Sequence, residues 1–240
     1  MKKLTLIFAA LAVCASMMLT GCSGENSTGN NNGSNNSGNN NSGNSDNSDK
    51  NDNSDKDDKD DNGDDNKEKA EYVIYTFDES TGKYTGNYLG IGADFDPDVW
   101  ESVDPTSNNG GASTEDELKK KLETVGGTIF ELMVIKEDNT NISITVGNIK
   151  KMTEEEYVDY SIESIDQITA GSIDNVKAEK ITLTVGGASH VCLDISGEVG
   201  DSSVYERMIF INKGDLMGMI TITSFEKKDV DELTSIFYAL

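Results

Sequence analysis

The stretch His190-Val191-Cys192-Leu193-Asp194 brings together the chain's only histidine, a thiol and a carboxylate at alternate positions. A histidine beside a cysteine can take the thiol proton and leave a nucleophile, and the same residue types ligate soft or borderline metals. On a strand all three share one face, with successive members about 6.5–7 Å apart and the two ends about 13 Å apart. A thiolate pair then needs a bulge, and a single metal needs further ligands that no second histidine can supply. The competing reading turns Val191, Leu193 and Ile195 toward one helical layer and packs Cys192 under the other as a small hydrophobe. The spacing favours packing over chemistry.

Two acidic stretches offer cation chemistry instead. Asp58, Asp60 and Asn62 stand at positions one, three and five of a calcium-loop pattern, with Gly63 at position six. Such a loop needs a bidentate carboxylate at position twelve and a helix on each side. Position twelve is Lys69, and neither flank has apolar periodicity. Only weak, non-specific association with divalent cations is expected there. Farther on, Asp96, Asp98, Glu101 and Asp104 surround Trp100. Carboxylates beside an aromatic ring can bind a cation or a sugar, and a solvated acidic turn over a buried tryptophan is the plainer alternative. Met208, Met217 and Met219 have the thioether chemistry for copper(I), yet they alternate with apolar residues and read as core. No Gly-x-Ser-x-Gly, P-loop, zinc or dinucleotide pattern occurs. The residues therefore predict no catalytic group, no resident metal and no cofactor.

The clearest chemistry lies at residues 1–22. Lys2 and Lys3 precede an apolar run from Leu4 to Leu19, which has signal-peptide length and is short for a membrane span of about 20 residues. The run ends in Leu19-Thr20-Gly21-Cys22, which resembles the cleavage box of bacterial lipoproteins. That resemblance implies cleavage before Cys22 and a lipid on its thiol, placing the chain on the extracytoplasmic face of the cell membrane. Two or more acyl chains anchor a protein stably where one does not. An ordinary secretory signal with an incidental cysteine is the alternative.

Three segments follow: a signal over 1–21, a lipidated cysteine with a disordered tether over 22–69, and a globular domain over 70–240. The tether is Asn, Ser and Gly, then Asp, Lys and Asn, with almost no apolar side chain to offset the entropy of ordering it. Its root-mean-square reach is roughly 35–40 Å, more where like charges repel. With Cys14 in the signal and Cys22 carrying lipid, Cys192 is the only thiol of the domain, so no internal disulfide is available and the 171-residue domain must hold by packing. The formal charge is −24 overall, with +2 over residues 1–22, −7 over 23–69 and −19 over 70–240. A surface of that sign excludes nucleic acid and favours cationic partners, divalent ions or simple solubility.

The domain pattern reads as an α+β fold. Glu71–Phe77 is a strand, Asp78–Lys83 a turn, and Tyr84–Phe95 a second strand broken by glycines and ended by Asp96-Pro97. Thr114 and Glu117 form a capping box for a helix carrying Leu118, Leu122 and Val125, stopped by Gly126. The apolar run 128–135 reads as a strand buried on both faces. A strand with alternating Ile142, Ile144 and Val146 follows. Thr153 and Glu156 then cap the best-marked helix, with Met152 against Tyr157, and Tyr157, Val158, Ser161, Ile165 and Ile168 along one face. Strands at 177–185, 188–196, 202–212 and 216–225, joined at Gly186-Gly187 and Gly214-Asp215, form an antiparallel meander. A last helix carries Val230, Leu233, Ile236 and Phe237.

Tyr84–Trp100, the helix at Met152–Tyr157, the Gly186-Gly187 strand, Gly214–Ser224 and the final acidic helix together resemble a group of exported lipoproteins of Gram-positive bacteria with a PsbP/Mog1-like domain. The resemblance covers 72–240. Where that group has a Leu-Pro-x-x-Trp-like turn, this chain has Phe95-Asp96-Pro97-Asp98-Val99-Trp100. It implies an α/β/α sandwich, an antiparallel sheet flanked by helices, and protein binding rather than catalysis, because the wider fold includes a photosystem assembly protein and a Ran-binding factor. The expected partner is an unidentified exported protein. A surface cation or small-ligand module is the alternative, and a thiol enzyme using Cys192 ranks below both.

Overall fold

The computed structural model describes residues 73–240 apart from 104–111, 113, 126–127, 149–150, 166–168 and 170–172. The cleavage box Leu19, Thr20, Gly21 and Cys22, the tether with its Asp58–Lys69 stretch, and Asp104 lie outside the described residues.

Eleven strands and three helices are described, in the order β1 (Tyr75–Asp78), β2 (Lys83–Gly86), β3 (Ile91–Asp94), β4 (Glu101–Ser102), α1 (Glu115–Val125), β5 (Thr128–Ile135), β6 (Asn141–Asn148), α2 (Glu154–Glu163), β7 (Asp174–Val185), β8 (Ala188–Val199), β9 (Ser202–Lys213), β10 (Leu216–Ser224), α3 (Lys227–Thr234) and β11 (Phe237–Ala239). Every pairing is antiparallel. A seven-stranded sheet runs β4-β5-β6-β10-β9-β8-β7, and a four-stranded sheet runs β1-β2-β3-β11. The fold class is thus the expected α+β arrangement of antiparallel sheet and helices, with the meander β7–β10 as read and β10 closing onto β6.

Alternation on the strands builds two main cores, beside a small cluster of Ile173 and Val204. On one face Ile142, Ile144, Val146, Ile209, Ile211, Ile220 and Ile222 pack with Leu118 and Leu122 of α1, Val230 and Leu233 of α3, and Tyr84, Ile91, Ala93 and Phe237 of the small sheet. On the other, Leu193, Ile195, Met208, Phe210, Met217 and Met219 pack under Tyr157 and Val158 of α2. Each fully buried Val, Leu, Ile, Phe or Met among them contributes about 1.5–3 kcal/mol. Tyr157 and Phe210 meet with ring centroids 5.2 Å apart. The capping box of α2 is present as predicted, with Glu156 N–H donating to Thr153 and Thr153 N–H to Glu156.

Several local expectations change. Tyr84–Phe95 is two strands, because Gly90 at φ +75° turns the chain through residues 87–90. Phe237–Ala239 is not helix but a strand pairing with β3. The run 128–135 is fully covered on one face only. A bulge between Phe130 and Leu132 places Glu131 and Leu132 toward the same side, so the one acidic residue of the run is buried. No helix among the described residues is long and apolar enough to cross a membrane.

Candidate functional site

Phe95, buried, follows β3 and is held by its N–H donating to Gly82 O at 2.8 Å. Gly82 has φ +67°, and a Cβ there would sit 1.7 Å from Phe95 O, so only glycine permits the approach. Phe95 then meets two rings edge-on, Phe77 at 6.2 Å and Trp100 at 5.6 Å, a geometry that aligns ring edges with π faces. Between Phe95 and Trp100 the chain makes an Asp-Pro turn. The Asp96 carboxylate accepts from Asp98 N–H at 3.0 Å, and its carbonyl accepts from Val99 N–H and Trp100 N–H at 3.0 and 2.9 Å. Glu101 and Ser102 pair with Ile135 and Val134, and Val103 N–H donates to Met133 O at 2.8 Å. The loop is thereby stitched to the edge of the large sheet.

This turn presents a pocket of about 200 Å³ lined by Phe77, Glu79, Phe95, Pro97, Trp100 and Glu101. Trp100 is half-buried, and beside it Val99 and Val103 are exposed to 48% and 36%. Lys136 Nζ lies 4.7 Å from the centroid of the Trp100 ring, within cation–π range. Of the residues expected here, Trp100 and Glu101 line the pocket, while the Asp96 carboxylate is engaged in the turn and Asp98 stands exposed on the loop. No group of three His, Cys, Asp or Glu side chains is placed to share a metal ion among the described residues. The sequence reading missed Phe77, Glu79, Val99, Val103 and Lys136. Phe77 and Glu79 join the site only because Gly82 brings β1–β2 against Phe95, a contact with no local signal.

The His190–Asp194 strand has other duties. Cys192 is fully buried on the small-sheet side, as its packing reading predicts, and burial pushes its thiol up to about 12 against the opposing pull of Arg207. Asp194 is taken by Arg207, the chain's only arginine. His190 Nδ1 lies 3.0 Å from Glu154 Oε1. Glu154 also accepts from Val191 N–H and Asn212 N–H at 3.0 Å each, just where the β8–β9 pairing stops at Cys192 and Ile209. Its carboxylate thus replaces the missing ladder partners. Partial burial pushes that carboxyl up, and the bonds from His190, Asn212 and Val191 outweigh this and hold it below its ordinary value. Met208, Met217 and Met219 all lie in the core under α2.

Fold and site define an antiparallel α+β domain in which Phe77, Phe95 and Trp100 meet Glu79 and Glu101 around one pocket. No protein-family model matches the chain, and no curated protein matches it in sequence. Among solved structures it is similar to the cyanobacterial PsbP (CyanoP) of Synechocystis sp. PCC 6803, with TM-score 0.42 and 15% identity over 66% of this chain and 91% of that one. It is also similar to a protein of Bacteroides thetaiotaomicron VPI-5482, with TM-score 0.37 and 8% identity over 66% and 48% of the two chains. LpqN, involved in cell envelope biogenesis of Mycobacterium tuberculosis, gives TM-score 0.37 and 10% identity over 62% and 82%.

Proposed function

We propose that the chain is an exported, lipid-anchored, non-enzymatic protein that docks another exported protein through the Val99–Trp100–Val103 face. The observation that carries the docking face is the exposure of Val99 and Val103 on either side of a half-buried Trp100, on a loop fixed to the sheet edge. Exposed apolar side chains gathered into one patch and rimmed by polar ones mark interaction surfaces. Aromatic residues at such a centre supply much of the binding energy. The charge of −19 over residues 70–240 favours a partner with a basic surface and speeds its encounter. Anchoring is supported by Lys2-Lys3, the apolar run and Leu19-Thr20-Gly21-Cys22, and the tether gives the domain reach. A thiol enzyme is disfavoured because the Cys192 thiol is buried and hard to ionise.

Mild crosslinking on intact cells, followed by recovery of the chain, tests this. The wild type is expected to yield one adduct of defined mass, lost in a Val99→Asp, Val103→Asp double variant that keeps its thermal unfolding temperature. An adduct pattern unchanged by that variant contradicts the face. Release of the protein from the membrane fraction by Cys22→Ser is the parallel expectation for the anchor, and retention overturns it.

A further inference from the structure

We infer that the pocket between Phe77, Phe95 and Trp100 receives a lysine side chain of the partner protein, its ammonium held between the aromatic rings and the carboxylates of Glu79 and Glu101. This rests on the docking face proposed above and names the chemistry that anchors it.

Three observations carry it. The pocket, about 200 Å³, has the scale of one side chain and joins aromatic walls to two acidic residues. A ring's π face attracts cations, and adjacent carboxylates add to that attraction as water is excluded. Second, the protein already places a cation on this ring. Lys136 Nζ sits over the Trp100 ring, 4.7 Å from its centroid, and among the described residues no carboxylate lies within ion-pair range of it. Lys136 is an intramolecular example of an ammonium on this ring. Third, Val99 and Val103 extend the surface beyond the pocket. A free small cation would leave them uncovered, whereas a protein chain carrying the lysine covers them. Lys136 is not part of the pocket lining, and its charge on the Trp100 ring opposes an incoming ammonium.

Trp100 is the chain's only tryptophan, so its fluorescence reads the pocket directly. The probes are acetyl-Gly-Lys-Gly-amide and its norleucine counterpart, titrated to tens of millimolar into the full chain in detergent micelles. The lysine peptide is expected to change the emission saturably, with the norleucine peptide at least about tenfold weaker. Combined Glu79→Gln and Glu101→Gln should weaken the lysine peptide about tenfold, and Lys136→Met should tighten it about threefold. Equal responses to both peptides, or none, overturn the inference. So does choline binding as tightly as the lysine peptide, which would make this a small-ligand pocket. A cellular adduct that depends on Val99 and Val103 without any response to lysine peptides sinks this inference and leaves the docking face standing.

Discussion

Arg207 lies directly opposite Asp194 across the β8–β9 ladder and grips its carboxylate through Nε and Nη2, each at 2.7 Å. Its remaining donors reach Thr234 at 3.0 Å and Asp231 at 3.0 Å, so one guanidinium joins two strands to α3. The hydrogen bond that Arg207 donates to Asp194 leads in raising the Arg207 pKa, and burial works against it.

Removing one partner of a buried, hydrogen-bonded ion pair costs about 3–5 kcal/mol. Arg207 is 4% exposed, while Asp194 is partly solvated, so Asp194→Ala should fall at the lower end of that range. The urea midpoint should drop with the slope unchanged. Arg207→Lys should be nearly as damaging, since one ammonium cannot serve a bidentate carboxylate and α3 together. A loss below about 1 kcal/mol in both variants contradicts the tie.

The second prediction concerns pH. Burial pushes the Glu131 carboxyl up from 4.5 to about 7, with the Tyr84 hydrogen bond pulling the other way, and burial does the same for Glu206 against Thr223. Between those values the folded protein binds more protons than the unfolded chain, so these two groups make stability fall as pH rises from about 4.5 to about 7. Below and above that window their contribution is flat. Glu131→Gln should make the stability–pH curve shallower across the window, read by denaturant unfolding at several pH values. An unchanged slope contradicts the placement of Glu131.

Cys192 should be inert. With its thiol buried and pushed up to about 12, a soluble disulfide reagent at pH 8 should label the folded domain only at the rate of unfolding, and completely in denaturant. Fast labelling of the native protein would show an accessible thiolate.

Glu154 should act as a ladder cap. Glu154→Ala leaves two backbone N–H groups without their acceptor, at a cost of about 1–3 kcal/mol. Hydrogen exchange at Val191 and Asn212 should accelerate while that of Ile209 stays slow. Unaltered exchange at both amides contradicts the role.

Much of this architecture was legible because local chemistry specified it. The glycine turns at Gly186-Gly187 and Gly214-Asp215 set the meander, and Thr153 with Glu156 marked α2. Trp100 stood out as a lone aromatic among acids. What was not legible depends on contacts distant in sequence. Phe77 and Glu79 reach Trp100 through the Gly82–Phe95 approach, and Glu154 reaches β8 and β9 from another element. Phe237–Ala239 is too short a strand to show a period of two, and its apolar residues continue the helical face of Val230 and Leu233. Glu131 sits at a bulge that breaks alternation, so its burial could not be read from pattern.

Site-specific photocrosslinking tests the central claim most directly. A photoreactive side chain placed at Val99 or at Val103, compared with one at the exposed Lys228 of α3, should capture the same exported protein from the first two positions and nothing defined from the third. Identical adducts from all three positions, or none from Val99 and Val103, would contradict a docking surface at Trp100.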